Sequence, residues 1–208
     1  MPFALAVDGS DMIHVHPPPT TIMRALLIVD MQVGCFRGDP PRYEADTIVE
    51  RINALAEAFR VRELVVYIQH TDAAEGLARD SEEWQILPML CVGAADERLE
   101  KAGCDAFLET GLESLLRGRD VDEVVITGCA TDFCVDTTVR FAAAHGFHVT
   151  VVSDAHTTRD RPHLDAPTII RHHNYIWRDF LLPKGRKIRL VTTEECLGEL
   201  PRGPASDT

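Results

Sequence analysis

The chain has 208 residues, 45% of them hydrophobic and 26% charged, with a net charge of −12; that is ample length for one well-buried domain and short for two. Such acidity argues against a nucleic-acid or anionic-membrane surface, since both need clustered Lys and Arg, and no apolar run approaches the roughly 20 residues of a membrane-spanning helix. Six cysteines are too sparse for a disulfide scaffold, and with no signal peptide in the opening MPFALAV they point to free thiols in the cytoplasm.

The start of the chain differs from the rest. MPFALAVDGSDMIHVHPPPTT has no sustained period and runs through three consecutive prolines, so residues 1–22 are expected to be an irregular extension ahead of one domain over 23–208. Met23 is a candidate original start. From Arg24 onward strand and helix signals alternate. ALLIVD (25–30) is a continuous apolar run of the kind buried on both faces. A Gly/Pro-rich loop leads to a helix over 44–60, with Ile48, Ile52, Leu55, Ala56 and Phe59 at helical spacing. ELVVYIQ (63–69) is a second buried strand, followed by a long loop through Trp84 and a short segment at 96–101. TGLESLLRG (110–118) reads as a helix with Thr110 and Glu113 forming a capping box. VDEVVITG (121–128) is a strand, 136–146 a helix ending at Gly146, and HVTVVSD (148–154) a strand closed by Asp154. A helix over 165–182, a strand KIRLVTT (187–193) and the coil LPRGPASDT complete the chain. This alternation predicts an α/β, three-layer Rossmann-like fold with a mainly parallel sheet and helices on both faces.

Sheets of this kind bind ligands beyond the carboxyl ends of their strands. Asp30, Cys129, Cys134 and Asp154 fall there, while no G-x-G-x-x-G supports a dinucleotide site, and no cofactor is expected. Cys134, in ITGCATDFCVDTT (126–138), stands at a loop-to-helix junction where free backbone N–H groups and the helix dipole favour a thiolate. Cys129, directly after Gly128, reads as packing beneath it. A thiolate nucleophile needs a base and a counter-charge. Asp30 supplies the base at the same sheet edge. The chain holds eighteen arginines but only three lysines, Lys101, Lys184 and Lys187, so a lysine marks a need for a compact ammonium. Lys101, at the end of the short segment, reaches the same rim.

Together ALLIVDMQ (25–32), Lys101 followed by DAFLET (105–110), and ITGCATDFCVDTT resemble the signature stretches of the isochorismatase-like cysteine hydrolases, in order from about Arg24 to Thr193. The resemblance implies an Asp–Lys–Cys triad, here Asp30, Lys101 and Cys134. It also implies a cis peptide before Ala130 and an oxyanion hole from the backbone N–H groups of Ala130 and Cys134. The implied reaction is attack of Cys134 on a small amide, ureide or imide through a thioester. Phe36, Trp84, Gln32 and Thr131 are assigned to the substrate pocket, Gln32 alternatively to orienting the Asp30 loop. The metal of the nicotinamidases, held by an Asp-x-His pair and further histidines, is not expected, because QHTDAAEGLARDSEEWQ (69–85) offers His70 and Asp72 in reversed order.

Three other readings stay open: vinyl ether hydrolysis of the isochorismatase type, small-molecule binding without turnover, and thiol redox pairing Cys134 with Cys129 or Cys35. His156 reads as a turn residue, and His172, His173 and Asn174 as a lid, a subunit contact or a solvated helix face. Along 165–182, Ile169, Ile170, Tyr175, Ile176, Trp177, Phe180, Leu181 and Leu182 spread wider than one stripe. That excess predicts a homo-oligomer, most simply a dimer.

Overall fold

The computed structural model describes residues 22–200. The extension expected over 1–22 therefore lies, but for Ile22, outside the described residues, as does the tail after Leu200. In chain order the elements are β1 Met23–Val29, α1 Val33–Phe36, α2 Ala45–Phe59, β2 Leu64–His70, β3 Glu97–Lys101, α3 Leu112–Gly118, β4 Val121–Cys129, α4 Asp136–Ala144, β5 His148–Thr157, α5 Ala166–Arg178, β6 Arg189–Val191 and α6 Thr193–Glu199. The strands form one parallel sheet in the order β3-β2-β1-β4-β5-β6. No helix among the described residues is long and apolar enough to cross a membrane.

Alternation along the strands sorts the core into two layers. Ala25, Leu27 and Val29 of β1 join Val124 and Ile126 of β4 against Leu112, Val139 and Trp177 from α3, α4 and α5. Leu26 and Ile28 face the other way, onto Ile48, Ile52, Leu55 and Phe59 of α2 and Cys196 of α6. Burial on both faces is why these strands read as unbroken apolar runs. The connections diverge to opposite sides between β1 and β4, which opens a crevice at their carboxyl ends. There the two backbones nearly touch. Gly128 has φ 112°, and a Cβ on it would stand 2.2 Å from the Val29 carbonyl oxygen, so only glycine fits.

Several boundaries differ from expectation, each for a local reason. β5 does not close at Asp154 but runs on to Thr157. Its register against β4 jumps from Ile126–Val151 to Gly128–His156. The irregularity turns Asp154 aside, where Oδ1 accepts from Thr193 N and Oγ1 at 2.8 and 2.9 Å. α3 starts at Leu112 behind Gly111, without the expected capping box. The Thr110 hydroxyl donates to Ala106 O at 2.6 Å, and Glu113 pairs with His145 at 2.8 Å. A capping box does form at Thr192 and Glu195, which start α6, an element that was not expected. The final strand is correspondingly shorter than 187–193. α5 ends at Arg178, so Phe180–Leu182 lie beyond it. Trp177 is fully buried and its indole N–H donates to Asp136 Oδ1 at 2.7 Å. It is core, not part of an outward apolar face; Tyr175 is the large apolar residue α5 leaves exposed.

Candidate active site

Three strand ends meet at the crevice. Asp30 follows β1 in a left-handed conformation, φ 49°, and is buried. β4 ends at Cys129, the Cys129–Ala130 peptide is cis, and the chain then makes one π-helical turn over Thr131–Val135 before α4. In that turn Val135 N donates to Ala130 O at 3.1 Å, and Cys134 is carried at its end. Lys101 closes β3 in register with His70 of β2.

The Lys101 ammonium ties the three together. Nζ lies 2.7 Å from Asp30 Oδ2, 3.3 Å from Cys134 Sγ, 2.9 Å from Gly103 O and 3.3 Å from His70 Nδ1. Burial opposes the lysine's charge, but Asp30 and Cys134 more than restore it, leaving its pKa above the ordinary value. The Cys134 pKa is also pushed up, by burial first and the Asp30 charge second, with Lys101 opposing. Burial and the Asp30 charge thus oppose the thiolate that the helix junction favours, and Lys101 supports it. Asp30 Oδ1 is buried and has no hydrogen-bond partner among the described residues, so it is free to take a proton. Cys129 is fully buried with its thiol donating to Asp30 O at 3.1 Å, in keeping with a packing role.

A cavity of about 550 Å³ opens over this cluster, lined by Asp30, His70, Ala130, Cys134, Arg42 and Arg159 among others. A second cavity of about 500 Å³ lies at the opposite end of the sheet, near Met23, Arg60 and Glu63, and holds no nucleophile. None of the four residues assigned to the substrate pocket lines the first cavity. Gln32 is fully buried as a strut: its Nε2 donates to His70 O at 3.0 Å and Trp84 O at 2.9 Å, and Oε1 accepts from His70 N at 2.7 Å. Trp84 donates its indole N–H to Thr71 Oγ1 at 2.8 Å. Phe36 packs on the α2-side core under the Arg42 guanidinium. Thr131 is fully buried, its hydroxyl 2.9 Å from His156 Nδ1.

His156 is no turn residue. It is a buried member of β5 that joins the Cys134 turn to α5, with Nε2 3.0 Å from Asn174 Oδ1. Asn174 Nδ2 donates to Ser153 O at 3.0 Å, which turns its oxygen toward the ring. His156 therefore donates from Nε2 and accepts the Thr131 hydroxyl proton at Nδ1. Burial pushes its pKa down to about 4, so the ring is neutral near pH 7. Asn174 is thus not part of a solvated face, while His172 is exposed.

Among the described residues no group of three or more His, Cys, Asp or Glu is placed to hold a metal ion. His70, the one histidine lining the cavity, has Nδ1 against an ammonium, which disfavours a cation there. The cavity residues that sequence reasoning missed are chiefly Arg42 and Arg159. Their signal was position, in loops after β1 and β5, and Arg159 was hidden because β5 was ended too early.

Comparison with known proteins yields one family. The Isochorismatase domain model matches residues 24–169. The uncharacterized isochorismatase family protein YecD of Escherichia coli O157:H7 is 31% identical over 194 residues, covering 85% of this chain and 95% of that protein. Maleamate amidohydrolase of Pseudomonas putida is 27% identical over 149 residues, 62% of this chain and 70% of that enzyme. A crystal structure of an isochorismatase family protein superposes with a TM-score of 0.74 at 30% identity, over 81% of this chain and 98% of the other.

Proposed function

Since the chain belongs to the isochorismatase family, we propose that it is a cysteine hydrolase cleaving the C–N bond of a small amide, ureide or imide. The observation that carries this reading is the ammonium of Lys101 shared between Asp30 Oδ2 and Cys134 Sγ, with Asp30 Oδ1 left free. A nucleophile, a base and a counter-charge are what acyl transfer to sulfur requires. An amidohydrolase among the relatives, acting on maleamate, supports the same bond type.

In the proposed reaction the Cys134 thiol gives its proton to Asp30 as sulfur attacks the carbonyl carbon. Lys101 stabilises the charges that form and holds the carboxylate. The backbone N–H groups of Ala130 and Cys134 receive the oxyanion, worth about 3 kcal/mol per donor in comparable sites. Collapse of the tetrahedral adduct breaks the C–N bond, and the leaving amine takes the proton from Asp30. Water, deprotonated by Asp30, then attacks the thioester and returns the thiol.

The test is ammonia release from a panel of small primary amides, ureides and imides, with mass spectrometry of acid-quenched enzyme. Turnover with an acyl adduct on Cys134, and neither in Cys134→Ala, is expected. Turnover that survives Cys134→Ala would overturn the proposal.

A further inference from the structure

The turn that carries Cys134 is gripped from outside at both of its ends. Its five residues, Thr131–Val135, have π geometry and, among the described residues, no side-chain cap at the start. A π turn is rare and appears mostly as a single turn at functional sites, so something must hold it. Here the holding contacts are polar and come from β5, the loop after it and α5. At the start of the turn the Thr131 hydroxyl meets His156 Nδ1 at 2.9 Å, and His156 Nε2 lies 3.0 Å from Asn174 Oδ1. Asp132 Oδ1 accepts from Thr158 Oγ1 at 2.6 Å, and Oδ2 from Arg161 Nε at 2.8 Å. Just past the end, Asp136 Oδ1 accepts the Trp177 indole N–H at 2.7 Å. Asn174 and Trp177 lie on one face of α5, and the Trp177 ring meets His156 edge-on, 5.2 Å between centroids.

Of these contacts only the one between Thr131 and His156 joins two fully buried residues, and neither residue lines the cavity. A buried hydrogen bond is directional and has no water to replace it when broken. The ring reaches this place because β5 slips against β4, from Ile126–Val151 to Gly128–His156, with extra residues on the β5 side. Irregularities of this kind re-aim a side chain beside a site. The direction of each bond is fixed in turn. Asn174 Nδ2 donates to Ser153 O, so its oxygen takes the Nε2 proton and Nδ1 is left to accept from Thr131. A rigid imidazole thus sets where the chain leaves the Cys129–Ala130 peptide, and with it the place of the nucleophile further along the turn. That place matters. Burial and the Asp30 charge oppose the Cys134 thiolate while Lys101, 3.3 Å away, supports it, so moving the sulfur off Nζ weakens the nucleophile.

We propose that His156 is a positioning residue of the reaction: through the Thr131 hydroxyl it holds the π turn so that Cys134 meets Lys101 and the backbone N–H groups of Ala130 and Cys134 face the developing oxyanion. This assignment rests on the hydrolase reading above, and its test separates the two. Two measurements are made on variants shown to be folded by circular dichroism. One is kcat and KM for the best amide of the panel; the other is the rate at which iodoacetamide alkylates Cys134, followed by peptide mass spectrometry. Thr131→Val, which removes the hydroxyl at nearly constant shape, is expected to lower kcat by about tenfold to a hundredfold, with KM within about twofold of the wild type. It should slow alkylation of Cys134 by about tenfold as well. Thr131→Ser, which restores the hydroxyl, should recover most of both losses. His156→Leu should match Thr131→Val, and the double variant should be no slower than either single one, because the two residues act as a unit. His156→Gln, whose amide offers one donor and one acceptor to the same neighbours, should fall between. The same alkylation pattern, with no amide turned over by the wild type, would keep the positioning role and remove the hydrolase reading. Wild-type kcat in folded Thr131→Val, a loss that Thr131→Ser fails to recover, or losses that multiply in the double variant would overturn the positioning role and leave the hydrolase standing.

Discussion

Cys134→Ala is expected to abolish amide turnover and leave the fold intact, because its sulfur faces a cavity and meets Lys101 Nζ at 3.3 Å. Cys129→Ala empties a fully buried position instead, and should cost about 1 kcal/mol of stability with most activity retained; urea titrations and ammonia release on both variants check the contrast. Lys101→Arg should be as inactive as Lys101→Ala. A planar guanidinium cannot occupy a fully buried pocket built around one nitrogen with contacts to Asp30, Cys134 and Gly103. A steady-state assay of the two variants side by side decides this. His156 makes stability depend on pH. Its folded pKa of about 4 lies below the ordinary 6.5, so the unfolded chain takes up a proton that the folded one resists. Stability from this group is complete above about pH 6.5 and falls progressively toward pH 4, by up to about 3 kcal/mol. The urea midpoint should drop across that window in the wild type and less steeply in His156→Gln.

At the scale of elements, the contact between β1 and β4 depends on one missing side chain. Gly128→Ala forces a methyl group to 2.2 Å from Val29 O and 2.6 Å from Val29 N at a φ of 112°. The expected cost exceeds about 3 kcal/mol, read as a large drop in melting temperature or a loss of soluble protein. The strands around that glycine were legible because burial on both faces writes an apolar run into β1, β2 and β4. The second half of β5 was not, since Ala155, His156 and Thr157 are buried through partners far away in sequence. The bond from Thr157 Oγ1 to Tyr43 O spans 114 residues, and no local period records it. α6 was missed although Thr192 and Glu195 carry the capping-box signal, because KIRLVTT was read as one strand running through Thr193. The site divides the same way. Asp30, Lys101 and Cys134 stood in ordered motifs, whereas Arg42 and Arg159 come together only through the carbonyl of Cys35, 7 and 124 residues away.

Across the whole molecule, the site draws on three separated stretches of chain, and they are not equally secured. Asp30 and Cys134 follow β1 and β4, which pair with each other and with further strands on either side. Lys101 ends β3, one of the two edge strands, whose single neighbour is β2 and whose only buried residue is Lys101 itself. A strand held along one margin frays at a lower free energy than the interior it borders. Its departure withdraws the ammonium while the remaining sheet stays assembled. Inactivation should therefore precede unfolding. In a urea series, the midpoint for ammonia release is expected below that for the far-ultraviolet circular dichroism signal. The amide of Leu99 should also exchange with deuterium faster than that of Ile126. Coincident midpoints and equal protection would mean that β3 leaves only with the rest. The expected gap has a practical meaning for variants and storage: a preparation that keeps the spectroscopic signature of its fold is expected to include molecules from whose site the Lys101 ammonium has already departed.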